Sequence, residues 1–345
     1  MRILYGVAGE GMGHAVRSAV VRDHLVSQGH DVKFACPRGR ASKYLNRYGD
    51  VALIPGVMTS IVRNRLDPVK AVLENIPRLV AMSVAPAFLI GLPKPDLIIS
   101  DFEPCTAKYG NMFGIPVVAL DNIHFVSRCQ HPPSVYENDK KAVILSLPVF
   151  SNFVPQAYRY MVTTFVQAPV RYNNTTIHLP ILKNRPVASR SRCVGDRVVV
   201  YLNDKADWNA AIKALQTCSK IRFNCYGSGR EGSYGNVTLL PVSDDFADDV
   251  VRSRAVISGS GFSLMTECIY NHVPLLALPF EGYLEQILNS NYLQALGYGQ
   301  RCSGLTPTTV DEFLQRCSEF SANLANVSHD NNEGLFSSLD RMLGS

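Results

Sequence analysis

With 345 residues the chain exceeds one ordinary hydrophobic core and suits two domains of roughly 150 residues each. Its 46% apolar and 18% charged side chains exclude a disordered chain. The net charge of +5 is unevenly spread, with 19 Lys+Arg against 12 Asp+Glu in residues 1–180 and 15 against 17 in residues 181–345. A basic first half is expected to face an anionic acceptor, an anionic membrane surface to which the protein binds peripherally, or simply solvent. No nucleic-acid partner is expected.

The start of the chain runs straight into a strand-like segment, without the charged lead, apolar centre and small-residue cleavage site of a signal peptide. The longest apolar stretch, residues 79–92, is short of a bilayer span and contains Pro86. A cytoplasmic protein is the expectation, at most peripheral on the inner face of a membrane. The nine cysteines, Cys36 to Cys317, form no Cys-x-x-Cys pair and read as reduced, buried thiols.

In chain order, residues 2–7 predict a strand ending in glycines, 14–28 a helix with Val16, Val20, Leu25 and Val26 at helical spacing, and 31–35 a second strand. Residues 96–100 and 116–120 are short apolar strands bounded by turn residues, with a helix over 104–113 between them. The second half repeats the pattern: strands at 197–202, 221–226, 237–240, 255–258 and 274–278, and a helix at 208–218. Continuous apolar strands alternating with helices predict an α/β fold of two Rossmann-like, doubly wound parallel-sheet domains. The expected division is residues 1–182, a polar linker at 183–196 containing Pro186, and 197–345, with the last helix able to pack back on the first domain. Ligands of such sheets bind at the carboxyl edges of the strands, here in the cleft between the two domains.

Gly9, Gly11, Gly13 and His14 lie between the first strand and the first helix. Glycines there permit a tight turn and close approach to a ligand, and the helix N-terminus offers free N–H groups. The spacing is G-x-G-x-G-H, not G-x-G-x-x-G, and no acidic residue closes the second strand to hold a ribose. Arg38 and Arg40 could instead meet a 2′-phosphate, which keeps NADP as an alternative. His14, in the first helical turn where the dipole favours neutral imidazole, is a candidate general base. Asp101, after the strand 96–100, could orient its ring; Glu103 is a competitor, and either acid could instead cap the helix over 104–113.

In the second half, a strand runs into Ser258-Gly259-Ser260-Gly261-Phe262-Ser263 and then a helix carrying Glu267. Backbone N–H groups of such a loop can cradle a diphosphate, the hydroxyls of Ser260 and Ser263 can add bonds, and Glu267 can take ribose hydroxyls. After the next strand, Glu281, Glu285 and Gln286, followed by Asn289, are suited to sugar hydroxyls.

These patches carry a family resemblance. Gly261, Glu267, Pro274, Gln286 and Asn289 stand where GT-B glycosyltransferases of the MurG and UDP-glycosyltransferase type place their S-G-x-x-T-x-x-E and D-Q-x-x-N residues. Residues 242–246 resemble the F-I-D-D-M element that meets uracil in MurG, which brings Ser243 into the donor site. The G-x-G-H loop with Gly11 and Gly13, and the Ser100-Asp101 pair, resemble the families' glycine loop and His–Asp dyad. The chain looks closest to a poorly characterised bacterial and archaeal MurG-like branch. The resemblance implies an inverting, metal-independent hexosyl or N-acetylhexosaminyl transfer from a nucleotide-sugar, most simply a UDP-sugar, with no further cofactor. His14 and Asp101 would be catalytic, and the acceptor, lipid-linked or cell-envelope among the options, would lie on the N-terminal side. Departures are Glu285 in place of a second glutamine, no tryptophan near Gly261, and Asn203-Asp204 where a glycine run is usual. A UDP-sugar epimerase of the same fold, an NADP-dependent oxidoreductase and a non-catalytic sugar-nucleotide sensor remain as alternatives.

Overall fold

The computed structural model describes residues 1–9, 11–57, 61–62, 65–66, 73–77, 89–136, 139–154, 156–183, 196–203, 206–243 and 245–344. The expected linker, apart from Lys183 and Asp196, and most of the apolar stretch 69–92 lie outside the described residues.

The first sheet is built from β1 (Arg2–Val7), β2 (Asp31–Pro37), β3 (Ala52–Ile54), β6 (Leu97–Asp101), β7 (Val117–Asp121), β8 (Arg159–Thr163) and β9 (Thr175–His178). They lie side by side in the order β3-β2-β1-β6-β7-β8-β9, every pairing parallel. A separate antiparallel ribbon joins β4 (Ile61–Val62) to β5 (Arg65–Leu66). The second sheet holds β10 (Arg197–Tyr201), β11 (Arg222–Tyr226), β12 (Gly232–Tyr234), β13 (Val237–Leu240), β14 (Ala255–Gly259), β15 (Leu275–Leu278) and β16 (Gly299–Arg301). Its order is β12-β13-β11-β10-β14-β15-β16, with only the β12 edge antiparallel.

The two-residue period of a strand explains why these runs are apolar throughout. Leu4 belongs to the core on one face of the first sheet, and Ile3, Tyr5 and Val7 to the core on the other. Val198 and Val200 likewise separate from Val199 in the second sheet. A sheet covered on both faces needs apolar side chains at odd and even positions alike.

Each sheet changes direction of winding once. In the first, β1 is flanked by β2 and β6; in the second, β10 is flanked by β11 and β14. These switch points open crevices at the strand carboxyl ends, after β1 and β6 on one side and after β10 and β14 on the other. The last helix, Glu333–Leu343, sends Leu335 and Leu339 into the core of the first sheet, and its Asp340 carboxylate meets His24 Nε2 at 2.8 Å. The helix Leu284–Ala295, which follows β15, also packs Leu284, Leu288 and Tyr292 into the first sheet's other core. No helix among the described residues is long and apolar enough to cross a membrane.

Candidate active site

The loop after β1 turns through Gly11, whose φ of 82° suits glycine, into the helix Met12–Ser27. The helix begins two residues earlier than its hydrophobic spacing indicates, so His14 is its third residue and still in the first turn. Gly13 is small for a steric reason: a Cβ there would collide with the Ser263 hydroxyl, in the first turn of the helix that follows β14. The first turns of the two helices that follow the glycine-containing loops therefore touch across the cleft.

Asp101 is the last residue of β6 and fully buried. His14 Nδ1 stands 2.9 Å from Asp101 Oδ1. The same carboxylate is forked by Arg17, whose Nε donates to Oδ2 at 2.7 Å and whose Nη2 donates to Oδ1, while Ser18 Oγ donates to Oδ2 at 3.2 Å. Burial alone would raise the Asp101 pKa, but the Arg17 guanidinium and His14 hold it at about 2. Glu103 has a different task. It is the N-cap of the helix Pro104–Phe113, accepting from the Cys105 and Thr106 backbone N–H groups at 2.7 Å each and from Thr106 Oγ1 at 2.6 Å. Of the two candidate acids, Asp101 meets His14 and Glu103 caps the helix.

Across the cleft, β14 ends at Gly259 and the helix Phe262–Tyr270 starts after Gly261, its N-cap. The N–H groups of a helix's first turn have no intrahelical acceptors, and no side chain caps them here. Ser260 is fully buried with an unpartnered hydroxyl, and its carbonyl accepts from Asn289 Nδ2 at 3.4 Å. The Phe262 ring is buried and stacks on Phe165, with centroids 6.3 Å apart, so a ligand would find its backbone and not its ring. Burial raises the Glu267 pKa and Lys183 opposes the shift. The Glu267 carboxylate accepts no hydrogen bond from a described residue.

The remaining donor-side candidates are dispersed. Ser243 and Glu281 are exposed. Gln286 Oε1 accepts from the Phe280 backbone N–H at 3.0 Å and so braces its own loop. Glu285 is buried, and its Oε1 accepts from Asn289 Nδ2 at 2.6 Å and from Asn122 Nδ2 at 3.0 Å. Asn122, next after β7, also accepts from Arg17 Nη1 through Oδ1. Desolvation raises the Glu285 pKa to about 7 against the pull of Asn289, Arg17 and Asn122. Arg17 and Asn122 were not among the residues singled out from sequence. Arg17 was findable, because a residue three positions after His14 shares its helix face.

The family model described as "Glycosyl transferase family 1" matches residues 1–318. A protein of Methanosarcina acetivorans described as an uncharacterized glycosyltransferase is 24% identical, covering 90% of this chain and 88% of its own length. Its counterpart from Methanosarcina mazei is 23% identical with the same coverage. Among solved structures, the spinosyn forosaminyltransferase SpnP superposes with a TM-score of 0.69 at 14% identity, covering all of both chains. Phytolacca americana UGT2, solved with UDP-2-fluoro-glucose and pterostilbene, gives 0.68 at 14% identity, again over all of both chains.

Proposed function

The chain belongs to glycosyl transferase family 1, a glycosyltransferase with the two-sheet GT-B fold, and on that premise we propose that it moves a sugar from a UDP-sugar to an acceptor hydroxyl with inversion and without a metal. Family membership replaces the oxidoreductase, epimerase and sensor alternatives as the reaction class.

The observation that carries this reading is the position of the His14–Asp101 pair at one switch point, with the neighbouring Gly13 against Ser263 at the opposing helix N-terminus. If His14 Nδ1–H donates to Asp101, Nε2 keeps its lone pair and can take a proton. The acceptor oxygen would attack the anomeric carbon as its proton passes to His14 Nε2, and the carbon–oxygen bond to the diphosphate would break. Asp101, ionised at neutral pH, would stabilise the imidazolium. The first-turn N–H groups of the helix Phe262–Tyr270 would receive the charge growing on the departing diphosphate. Glu267 would hold the ribose, and the backbone around Ser243 the uracil, as the MurG likeness suggests.

The acceptor belongs to the N-terminal side. The exposed Arg38, Arg40, Lys43 and Arg47 favour an anionic partner there, and a lipid-linked acceptor reached from the inner face of a membrane fits that charge. Pelleting with anionic against neutral vesicles tests the membrane part; equal recovery from both would remove it.

A thermal-shift panel of UDP-, dTDP- and GDP-sugars, with NADP as control, tests the donor. Stabilisation by UDP and one or more UDP-sugars, with UDP release on turnover, is expected. Stabilisation by NADP alone, or by none of the nucleotides, would overturn the reading.

A further inference from the structure

We infer that Arg17 is a positioning residue that locks Asp101 onto His14 and, through Asn122, makes that alignment depend on Glu285 of the facing domain. Its catalytic side rests on the proposed transfer reaction; its geometric side does not.

Arg17 is only 5% exposed. Burying a guanidinium is costly unless its hydrogens are matched, and here all three nitrogens have partners: Nε and Nη2 on Asp101, and Nη1 on Asn122. A planar fork meeting both oxygens of a carboxylate fixes the carboxylate's rotation, which a lysine ammonium cannot do. That rotation aims Oδ1 at His14.

Nη2 also lies 2.7 Å from His14 Nδ1. The ring therefore has two competing arrangements. Either Nδ1–H donates to Asp101 and Nε2 is a base, or Nδ1 accepts from Arg17 and Nε2 carries the hydrogen. Only the first suits proton abstraction. Which one prevails depends on how firmly the guanidinium is seated on Asp101 and drawn toward Asn122.

The third anchor reaches the other domain. A guanidinium only donates, so Asn122 turns Oδ1 to Arg17 and Nδ2 to Glu285, where Asn289 from the same helix also donates to Oε1. His14, Arg17, Asp101, Asn122, Glu285 and Asn289 thus form one polar network, and the Asn122–Glu285 bond is where it crosses between domains. Opening the cleft at that bond removes the acceptor that orients the Asn122 amide and so loosens one of the three anchors of Arg17.

The test uses the full-length protein and the variants R17K, R17Q, N122A and E285Q. Nitrogen-15 spectra of His14, assigned against H14A, read its tautomer without any ligand. Wild type is expected to show mainly the Nδ1–H form, and R17Q and N122A a mixture. In parallel, calorimetry with UDP and UDP release from UDP-glucose and UDP-N-acetylglucosamine separate binding from turnover. R17K and N122A are expected to keep UDP affinity within about twofold while kcat falls between about tenfold and 100-fold, the scale of a small misplacement of a reacting group. An unchanged tautomer in R17Q and N122A, or a kcat within twofold of wild type, or kcat and UDP affinity falling together, would overturn the inference. Wild type that neither binds nor releases UDP would sink the donor reading instead, and the tautomer would still decide the positioning role. Should R17Q fail to fold, N122A carries the tautomer test.

Discussion

Asn122 follows a strand of the first sheet and Glu285 sits in the helix after the second sheet's β15, yet the Asn122 amide donates to Glu285 Oε1 at 3.0 Å with both side chains buried. An acid that the motif pattern assigns to donor hydroxyls is therefore also a bond between the domains. Both roles can coexist, because a carboxylate has two oxygens and about four acceptor positions.

This placement makes stability depend on pH. Glu285 is held at about 7 in the folded chain, against an ordinary value of 4.5. A raised acid leaves more protons on the folded than on the unfolded state between those values, so stability falls as pH rises from about 4.5 to 7. Each pH unit is worth about 1.4 kcal/mol, so the burden at neutral pH is on the order of 3 kcal/mol. Urea denaturation of E285Q and wild type should show a stability difference in favour of E285Q that grows from pH 4.5 to 7 and then levels off. A difference that stays constant over this range would show that Glu285 does not titrate as its burial implies.

Asp101 has the opposite sign. Its pKa is depressed to about 2, so the stability from its ionisation is present above the ordinary value of 3.8 and is lost as pH falls through 2. D101N leaves Arg17 buried with its charge uncompensated, which costs about 3–5 kcal/mol. Turnover should fall by roughly 10²–10⁴, the usual contribution of general acid–base catalysis. The double variant R17M/D101N should regain much of the stability and none of the turnover. Denaturation midpoints and UDP release read the two effects separately.

Glu103 gives the matching control, two residues away on the same loop. E103A leaves the buried N–H groups of Cys105 and Thr106 without acceptors, at a cost of about 1–3 kcal/mol. Well below its melting temperature, E103A should keep kcat within a few-fold. A large loss of kcat in a well-folded E103A would move the catalytic assignment from Asp101.

Most of the central strands were legible in the sequence because their environment is simple: buried on both faces, they read as unbroken apolar runs such as Val198–Val199–Val200. The outer strands were not. Gly232–Tyr234 is exposed along its length and Thr175–His178 is largely polar, so neither carries a burial signal. His14 and Asp101 were found because each sits where a strand's carboxyl end meets a turn. Arg17 and Asn122 were missed because a buried arginine in a helix resembles a surface arginine until the charge opposite it is known. Their partners lie 84 and 163 positions away, in Asp101 and Glu285.

Glu267 shows what a ligand would add to the site. Both oxygens of buried Glu103 and Oε1 of buried Glu285 are met by protein donors, whereas the partly exposed Glu267 carboxylate has none among the described residues, and burial raises its pKa. A partly exposed carboxylate can be met by water in the free protein, and the two ribose hydroxyls of a nucleotide would take the place of that water. E267Q keeps the shape but offers one acceptor oxygen in place of two. Hydrogen bonds to a charged group are worth about 1.5–3 kcal/mol, so UDP affinity should fall by roughly 10–100-fold. Turnover at saturating donor should change little. The free variant should be more stable than wild type at neutral pH, because a neutral amide replaces an acid whose charged form is disfavoured by burial. Calorimetry with UDP and 2′-deoxy-UDP closes the argument: the deoxy analogue should bind wild type less tightly than UDP does, and E267Q should distinguish the two far less. Equal discrimination by both proteins would place the ribose elsewhere.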